Sequence, residues 1–445
     1  MDHFDYHAVR ATPVSTDAIL HCERVPAEAI ARAVGTPCYV YSKATLVDHF
    51  VKLKTAFAAL NPLICYSVKS NGNLSVCRVL GELGAGMDVV SGGELYRAIA
   101  AGVPANRCVY AGVGKTDEEI AQALDAGLGL FNVESEEEFE NIAKIAAAKR
   151  VVCETALRVN PDVDPRTHRY TTTGKKETKF GVDIERAKAF FRRYGRDSFC
   201  RLNGIHLHIG SPIYTTEPYV ESVRKATALI DELASEGFSV TTLDLGGGFG
   251  ADYETDQTPT LATYAEAIVP LLADRVRAGL RIILEPGRTL VANAGVLLTR
   301  VLYMKSSGEK TFAICDAGMN DLLRPSHYLA FHFMWPCQTT AAFRPSRRAK
   351  EMGMDGLRSI DVVGPICESG DFLAIDRPLP PLRRGDLLAV FTAGAYGMAM
   401  ASRYNSHPLP AEVLVDGASL SVIRHRERYE DLVAHERHPA NVAML

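Results

Sequence analysis

Lys69 stands in the run Tyr66-Ser67-Val68-Lys69-Ser70-Asn71, at the end of a mostly apolar stretch. A primary amine withdrawn from water favours its uncharged form, which attacks an aldehyde. By itself, a lysine in that place is more often an ordinary strand-end group that holds its ammonium in solvent. Further along, His206-Leu207-His208-Ile209-Gly210-Ser211 sets two imidazoles two residues apart, a spacing that gives both the same facing on a strand. Asp244-Leu245-Gly246-Gly247-Gly248-Phe249-Gly250 offers backbone N–H groups with no side chains in the way. On its own such a glycine run is most often a tight turn.

These groups need a frame that gathers them from distant positions. From Ile64 onward, short β-branched runs alternate with helical patterns, the signature of a parallel sheet with crossover helices. Eight strands are expected, at Ile64 to Lys69, Gly86 to Ser91, Cys108 to Gly114, Leu128 to Val133, Glu154 to Pro161, Gly204 to Gly210, Thr241 to Gly247 and Arg281 to Glu285. Ser135 followed by Glu138 has the form of a capping box opening the helix to Lys149. Eight such units predict an α/β fold with a closed (β/α)8 TIM-like barrel, whose active-site groups stand at strand C-termini. The polar or glycine-rich tails fall there: Lys69 to Gly72, Asp88 to Gly93, Gly246 to Gly250 and Glu285 to Arg288.

After Arg288 the alternation stops. Strand-like runs at Val296 to Met304, Thr311 to Cys315, Leu387 to Thr392 and Glu412 to Val415 predict a C-terminal β-rich domain, a β-barrel or sandwich. Pro37 to Ser42 reads as a strand able to join it. The expected division is 1–43 as an N-terminal segment, 44–290 as the barrel and 291–445 as the β domain. Arg377 to Leu382 and Phe343 to Arg358 read as surface loops.

With 445 residues the chain exceeds the size of most single cores, in keeping with two domains. The 49 basic and 53 acidic residues are interspersed, without the basic stripe that nucleic acid or an anionic membrane requires. No apolar run approaches the ~20 residues of a membrane span, and the start Met1-Asp2-His3-Phe4-Asp5 lacks a secretory signal, so a cytoplasmic location is expected. Ten scattered cysteines with no CxxC pair predict neither disulfides nor a cysteine zinc site; no metal is expected.

In order along the chain, Tyr66-x-x-Lys69-x-Asn71, the HxHxGS run at His206 to Ser211, the glycine loop at Asp244 to Gly250 and Glu285-Pro286-Gly287-Arg288 resemble the motifs of fold-type III pyridoxal-phosphate (PLP) enzymes. These are the alanine racemase and ornithine/diaminopimelate decarboxylase superfamily. The resemblance spans nearly the whole chain, and the ordered set is far more specific than any single motif. It implies Lys69 as the Schiff-base lysine, Asp88 beside it, His208 stacked on the cofactor ring, Arg158 at the ring's side and Glu285 at the pyridine nitrogen. A phosphate dianion needs converging N–H groups, which Gly247, Gly248 and the Gly287-Arg288 turn can supply with the Ser211 hydroxyl.

Val363-Gly364-Pro365-Ile366-Cys367-Glu368-Ser369-Gly370-Asp371 resembles the CESGD element of diaminopimelate decarboxylases. That resemblance implies Cys367 as the proton donor and decarboxylation of meso-2,6-diaminopimelate to L-lysine, the last step of lysine biosynthesis. For the substrate's far carboxylate and ammonium it implies Arg288, Arg324, Tyr328, Glu368 and Tyr396, the last also near the phosphate. It further implies a homodimer with shared active sites. Ser326 to Pro336 and Arg403 depart from the usual family pattern near the substrate end.

Other readings stay open at this stage. A decarboxylase of the same fold type could act on another amino acid or on a carboxylated polyamine or siderophore intermediate. A racemase would lack the cysteine motif. A silent paralogue would have lost Lys69 or Cys367, and a metal-dependent hydrolase would use His206 and His208.

Overall fold

The computed structural model describes residues 3–8, 17–164 and 179–437; Met1 and Asp2 of the expected signal-free start lie outside them. The chain folds into two compact units. One comprises Leu46–Asp252 and Asp256–Val291, and the other the residues up to Thr45, Tyr253–Thr255 and Ala292 onward.

The first unit is a closed parallel barrel. Its strands are Leu63–Ser67, Gly86–Val89, Cys108–Tyr110, Leu130–Val133, Cys153–Asn160, Cys200–His206, Thr242–Asp244 and Arg281–Leu284. Each pairs with the next in parallel, and the eighth closes onto the first with Ile283 opposite Leu63 and Leu284 opposite Ile64. Cys65, Val109, Leu130, Ala156 and Ile283 fill the interior as a buried cluster. Near-continuous burial along each strand is what a sheet covered on its outer face requires.

All eight expected strands are present; the fourth ends at Val133 as expected, and the C-terminal ends of the other seven fall short of the expected bounds by one to four residues. The polar tails leave the ladder: Lys69 lies in a turn of 3-10 helix at Val68–Ser70, and His208 lies beyond the strand that ends at His206. Those tails are therefore free to face the barrel mouth. The helix Glu136–Lys149 is capped by Ser135, whose hydroxyl accepts from Glu138 N–H. The second half of the expected capping box is not made. Glu138 instead accepts from the Glu134 N–H at 2.7 Å and pairs with Lys115 at 2.6 Å, a buried cation with a stronger claim on it. A complete capping box is formed by Thr116 and Glu119, one helix earlier.

In the second unit, the long strand Gly295–Ser307 is central. It pairs with Lys310–Cys315, Leu387–Val390 and Cys38–Ser42, and the last of these also pairs in parallel with Ala411–Asp416. Arg358–Val363 and Phe372–Leu379 extend the sheet on one side. The strand Phe372–Leu379 takes in Arg377 to Leu379, which corrects the loop expected from Arg377; Pro378 is tolerated because that strand is an edge. A smaller antiparallel sheet is formed by Phe4–Ala8, Ala18–Cys22, Val25–Pro26 and Gln338–Thr339. Among the described residues no helix is long and apolar enough to cross a membrane.

Candidate active site

The barrel unit gathers Lys69, Asp88, His208, Ser211, Gly247, Gly248, Glu285, Gly287 and Arg288, which sequence spreads over more than two hundred positions. Lys69 Nζ donates to Asp88 Oδ2 at 2.9 Å, and the Ser67 hydroxyl donates to the same oxygen at 2.6 Å. Asp88 is fully buried, whereas the Lys69 side chain keeps about a third of its surface open. Asp88 therefore fixes the amine's position while leaving it accessible.

Asp244 ends one strand, Glu285 directly follows the end of the adjacent one, and Asn132 is the last but one residue of a further strand of the barrel. Asn132 Nδ2 lies 3.2 Å from Asp244 Oδ2 and 3.1 Å from Glu285 Oε1. His206 Nε2 lies 3.2 Å from Glu285 Oε2. Burial pushes His206 down to about 4, so at neutral pH the ring is uncharged and donates through Nε2. Burial also raises both carboxyls. The donor atoms of His206, Asp244 and Glu285 lie within 4.8 Å of one another. The neutral amide of Asn132 bridges the two carboxylates, so the grouping reads as a hydrogen-bonded acid pair rather than as a metal site. The alternative metal pairing of His206 with His208 is not formed. His208 instead turns its Nδ1 to accept from the Gly247 N–H at 3.3 Å.

The glycine loop packs against the strand ends more closely than any side chain would allow. A Cβ on Gly246, with φ of +66°, would strike the Leu207 carbonyl, and one on Gly248, with φ of +98°, would strike the Gly210 carbonyl. Arg288 opens the short helix Arg288–Val291, is buried, and donates from Nε to the Ser211 hydroxyl at 3.1 Å. Arg158 is committed to Glu134 at 2.8 Å. Burial opposes ionisation of Glu134, but Arg158 and its neighbours outweigh it and hold the carboxyl below the usual range.

The second unit carries Arg324, Tyr328, Cys367, Glu368 and Tyr396. Arg324 is buried, with its guanidinium 4.7 Å from the Tyr253 ring centre and Nη1 2.8 Å from His332 Nε2. His332 Nδ1 lies 2.9 Å from the Phe391 carbonyl and donates to it, which leaves Nε2 as the acceptor for the arginine. Cys367 is exposed, alone among ten cysteines. Its loop is shaped by Asp371, which accepts from Met319 N–H and Ile366 N–H at 2.6 Å each. Ser326 donates to the Gly370 carbonyl at 2.6 Å, tying that loop to the segment that bears Arg324 and Tyr328. Glu368 accepts from the Tyr404 phenol. Tyr396 is half-buried in the left-handed region, with φ of +56°. Arg403, a departure from the family pattern, makes a two-pronged pair with Glu427 on the surface.

Sequence reading missed Asn132, Glu134, Asp244 and His332 as participants. Asp244 opens the glycine motif and His332 lies in the divergent stretch, so only strand adjacency reveals their contacts. Asn132 and Glu134 stand at a strand end, the position where barrel chemistry concentrates.

The donor set suits pyridoxal phosphate. It offers an amine at the barrel mouth, a glycine-lined turn beside a hydroxyl and a guanidinium, and the buried Glu285 carboxylate, held by neutral donors and ready for a cationic N–H. Comparison with known proteins agrees. The family model described as pyridoxal-dependent decarboxylase, pyridoxal binding domain, matches residues 43–292. The diaminopimelate decarboxylase of Aquifex aeolicus is 46% identical over 418 residues, covering 94% of this chain and 95% of that protein. That of Pseudomonas aeruginosa is 45% identical over 436 residues, covering 98% and 99%. The crystal structure of diaminopimelate decarboxylase from Helicobacter pylori complexed with L-lysine superposes with a TM-score of 0.84 at 39% identity, covering 92% of this chain and 98% of that one.

Proposed function

This chain belongs to the diaminopimelate decarboxylases, within the pyridoxal-dependent decarboxylase family, and from that premise we propose that it converts meso-2,6-diaminopimelate to L-lysine and CO2. The observation that carries the reading is the barrel-mouth constellation of Lys69, Asp88 and Glu285 with the Ser211–Arg288 pair.

Lys69 would hold the cofactor covalently, with Glu285 at the ring nitrogen, His208 on the ring face, and Gly247, Gly248, Gly287, Ser211 and Arg288 around the phosphate. Tyr396 serves at the phosphate and substrate. When bound, pyridoxal phosphate supplies a cationic ring that accepts the electron pair left as the carboxylate departs. Asp88 orients the Lys69 amine and balances its charge. Cys367 delivers a proton to the carbon that has lost CO2, so one C–C bond is exchanged for one C–H bond. Removing the carboxylate from the D centre of the meso compound leaves the L centre, which is that of the L-lysine product. Arg324, Tyr328 and Arg288 serve the far carboxylate and Glu368 the far ammonium.

The exposed position of Cys367 supports a homodimer in which each protomer lends its Cys367–Glu368 loop to the partner's barrel. The domain division proposed is 44–290 for cofactor binding and 291–445 with the strand of 1–43 for the β domain. The working location is the cytoplasm, with no nucleic-acid or membrane partner.

Product identification with meso-diaminopimelate, ornithine and arginine in parallel tests the reading. Equimolar L-lysine and CO2 from the first, with little turnover of the others, is the expected result. Preferential turnover of ornithine or arginine would overturn the substrate assignment.

A further inference from the structure

We propose that His332 is a positioning residue for Arg324 and thereby helps set the preference for a substrate that carries a carboxylate at its far end. This role rests on the reading of Arg324 given above and extends it to a neighbour in the fold.

Two contacts fix the Arg324 guanidinium, and they do different things. Its carbon lies over the Tyr253 ring, 4.7 Å from the centre, which sets the plane of the group but leaves it able to turn within that plane. The hydrogen bond from Nη1 to His332 Nε2, at 2.8 Å, removes that rotation. A guanidinium has only donors, so Nε2 must be the acceptor. The Phe391 carbonyl has no proton to give, so Nδ1, 2.9 Å away, must be the donor. Both ends of the ring therefore demand the neutral Nδ1–H tautomer, because an imidazolium would set an N–H against the arginine.

His332 is itself firmly held. It is fully buried, Arg377 Nη1 donates to its carbonyl at 2.7 Å, and its ring meets Tyr253 edge-on with centres 5.3 Å apart. The carbonyl of the next residue, Phe333, accepts from the Phe391 N–H at 2.8 Å, which fixes the segment that presents the Phe391 carbonyl to the imidazole. Neither Tyr253 nor a neutral His332 carries a negative charge, so the two orient the guanidinium without neutralising it. An arginine oriented in advance meets a planar carboxylate in two-pronged geometry without first giving up the freedom of its long side chain.

Nitrogen-15 NMR of the holoenzyme with labelled histidine, at about pH 8, reads the tautomer, and the signal that disappears in His332→Asn identifies the residue. Nδ1 protonated and Nε2 unprotonated is the expected result; an Nε2–H or doubly protonated ring would overturn the proposal. Substrate preference reads the consequence. The asparagine amide reaches only the place of Nδ1, whereas the glutamine carbonyl reaches that of Nε2 and can accept from Arg324. The ratio of kcat/KM for meso-diaminopimelate to that for D-lysine, which lacks the far carboxylate, should fall by about tenfold in His332→Asn, through KM rather than kcat. In His332→Gln it should stay within about threefold of wild type. An unchanged ratio in His332→Asn, or an equal fall in the two variants, would overturn the proposal, since a role in packing alone would not separate them. Arg324→Ala keeps the two levels apart. If it too leaves the ratio unchanged, the far-carboxylate reading of Arg324 falls; if only His332→Asn does, that reading stands without the positioning.

Discussion

Lys69 is held at 2.9 Å from Asp88 without being sealed away, which is the arrangement a covalent cofactor link requires. Lys69→Ala should abolish any borohydride-reducible attachment of pyridoxal phosphate while far-ultraviolet circular dichroism stays unchanged, because the side chain fills no core. Trapping of cofactor in that variant would remove the assignment. Cys367→Ala should slow turnover by roughly 10²-fold or more and leave cofactor binding as it was, the usual weight of a positioned general acid. An unaltered rate would mean another group, or water, delivers the proton. His206 offers a pH test. Its ring is held down to about 4 against an ordinary value near 6.5, so the folded state resists its protonation more than the unfolded state does. The stability tied to its neutral form is present above about 6.5 and is lost as pH falls through about 4. Across that window the stability advantage of wild type over His206→Asn should shrink by up to about 3 kcal/mol. Urea unfolding at a series of pH values measures it, and a constant difference would argue against a buried neutral imidazole. Lys69, His208, Glu285 and Cys367 could be singled out as candidates because each sits in an ordered motif. Asn132 and His332 were not, because a lone amide or imidazole in sequence carries no sign of the partner it meets across the fold.

At the scale of elements, the loop 364–371 depends on one side chain more than on its own backbone. Asp371 accepts two N–H groups at 2.6 Å each, one from Met319 and one within the loop from Ile366. Asp371→Ala leaves both donors unpaired and should cost about 2 to 4 kcal/mol, at the usual penalty for each buried donor that loses its acceptor. Thermal unfolding with limited proteolysis at this loop checks it; full stability and resistance to cleavage would show that other contacts hold the loop. All eight barrel strands could be read from β-branched runs, since their side chains are buried on both faces. Strand ends could not, because whether Lys69 or His208 joins the ladder is decided by the neighbouring strand. The missing half of the Ser135 capping box has the same origin: Lys115, twenty residues earlier in the chain, competes for Glu138.

At the scale of the whole molecule, the proposed shared-site dimer makes a prediction that no single protomer could. Lys69→Ala and Cys367→Ala damage different parts of the site, so equal amounts mixed and allowed to exchange subunits should recover about a quarter of wild-type activity through one intact site per mixed dimer. No recovery despite demonstrated exchange would place each site within one protomer. The alternation of strand and helix followed by strand alone made two folding units legible, whereas the proposal of subunit sharing rests on the family motif, since periodicity reports faces rather than partners. The substrate assignment depends on a far carboxylate meeting Arg324, whose guanidinium is set by Tyr253 and His332. The most direct test is kcat/KM for meso-diaminopimelate against D-lysine, which keeps the reacting centre and lacks the far carboxylate, in wild type and Arg324→Ala. Wild type should strongly prefer the dicarboxylate, and Arg324→Ala should lose that preference by on the order of 2 to 5 kcal/mol with cofactor binding unchanged. Equal use of both compounds by wild type, or an equal loss on both in the variant, would contradict the account.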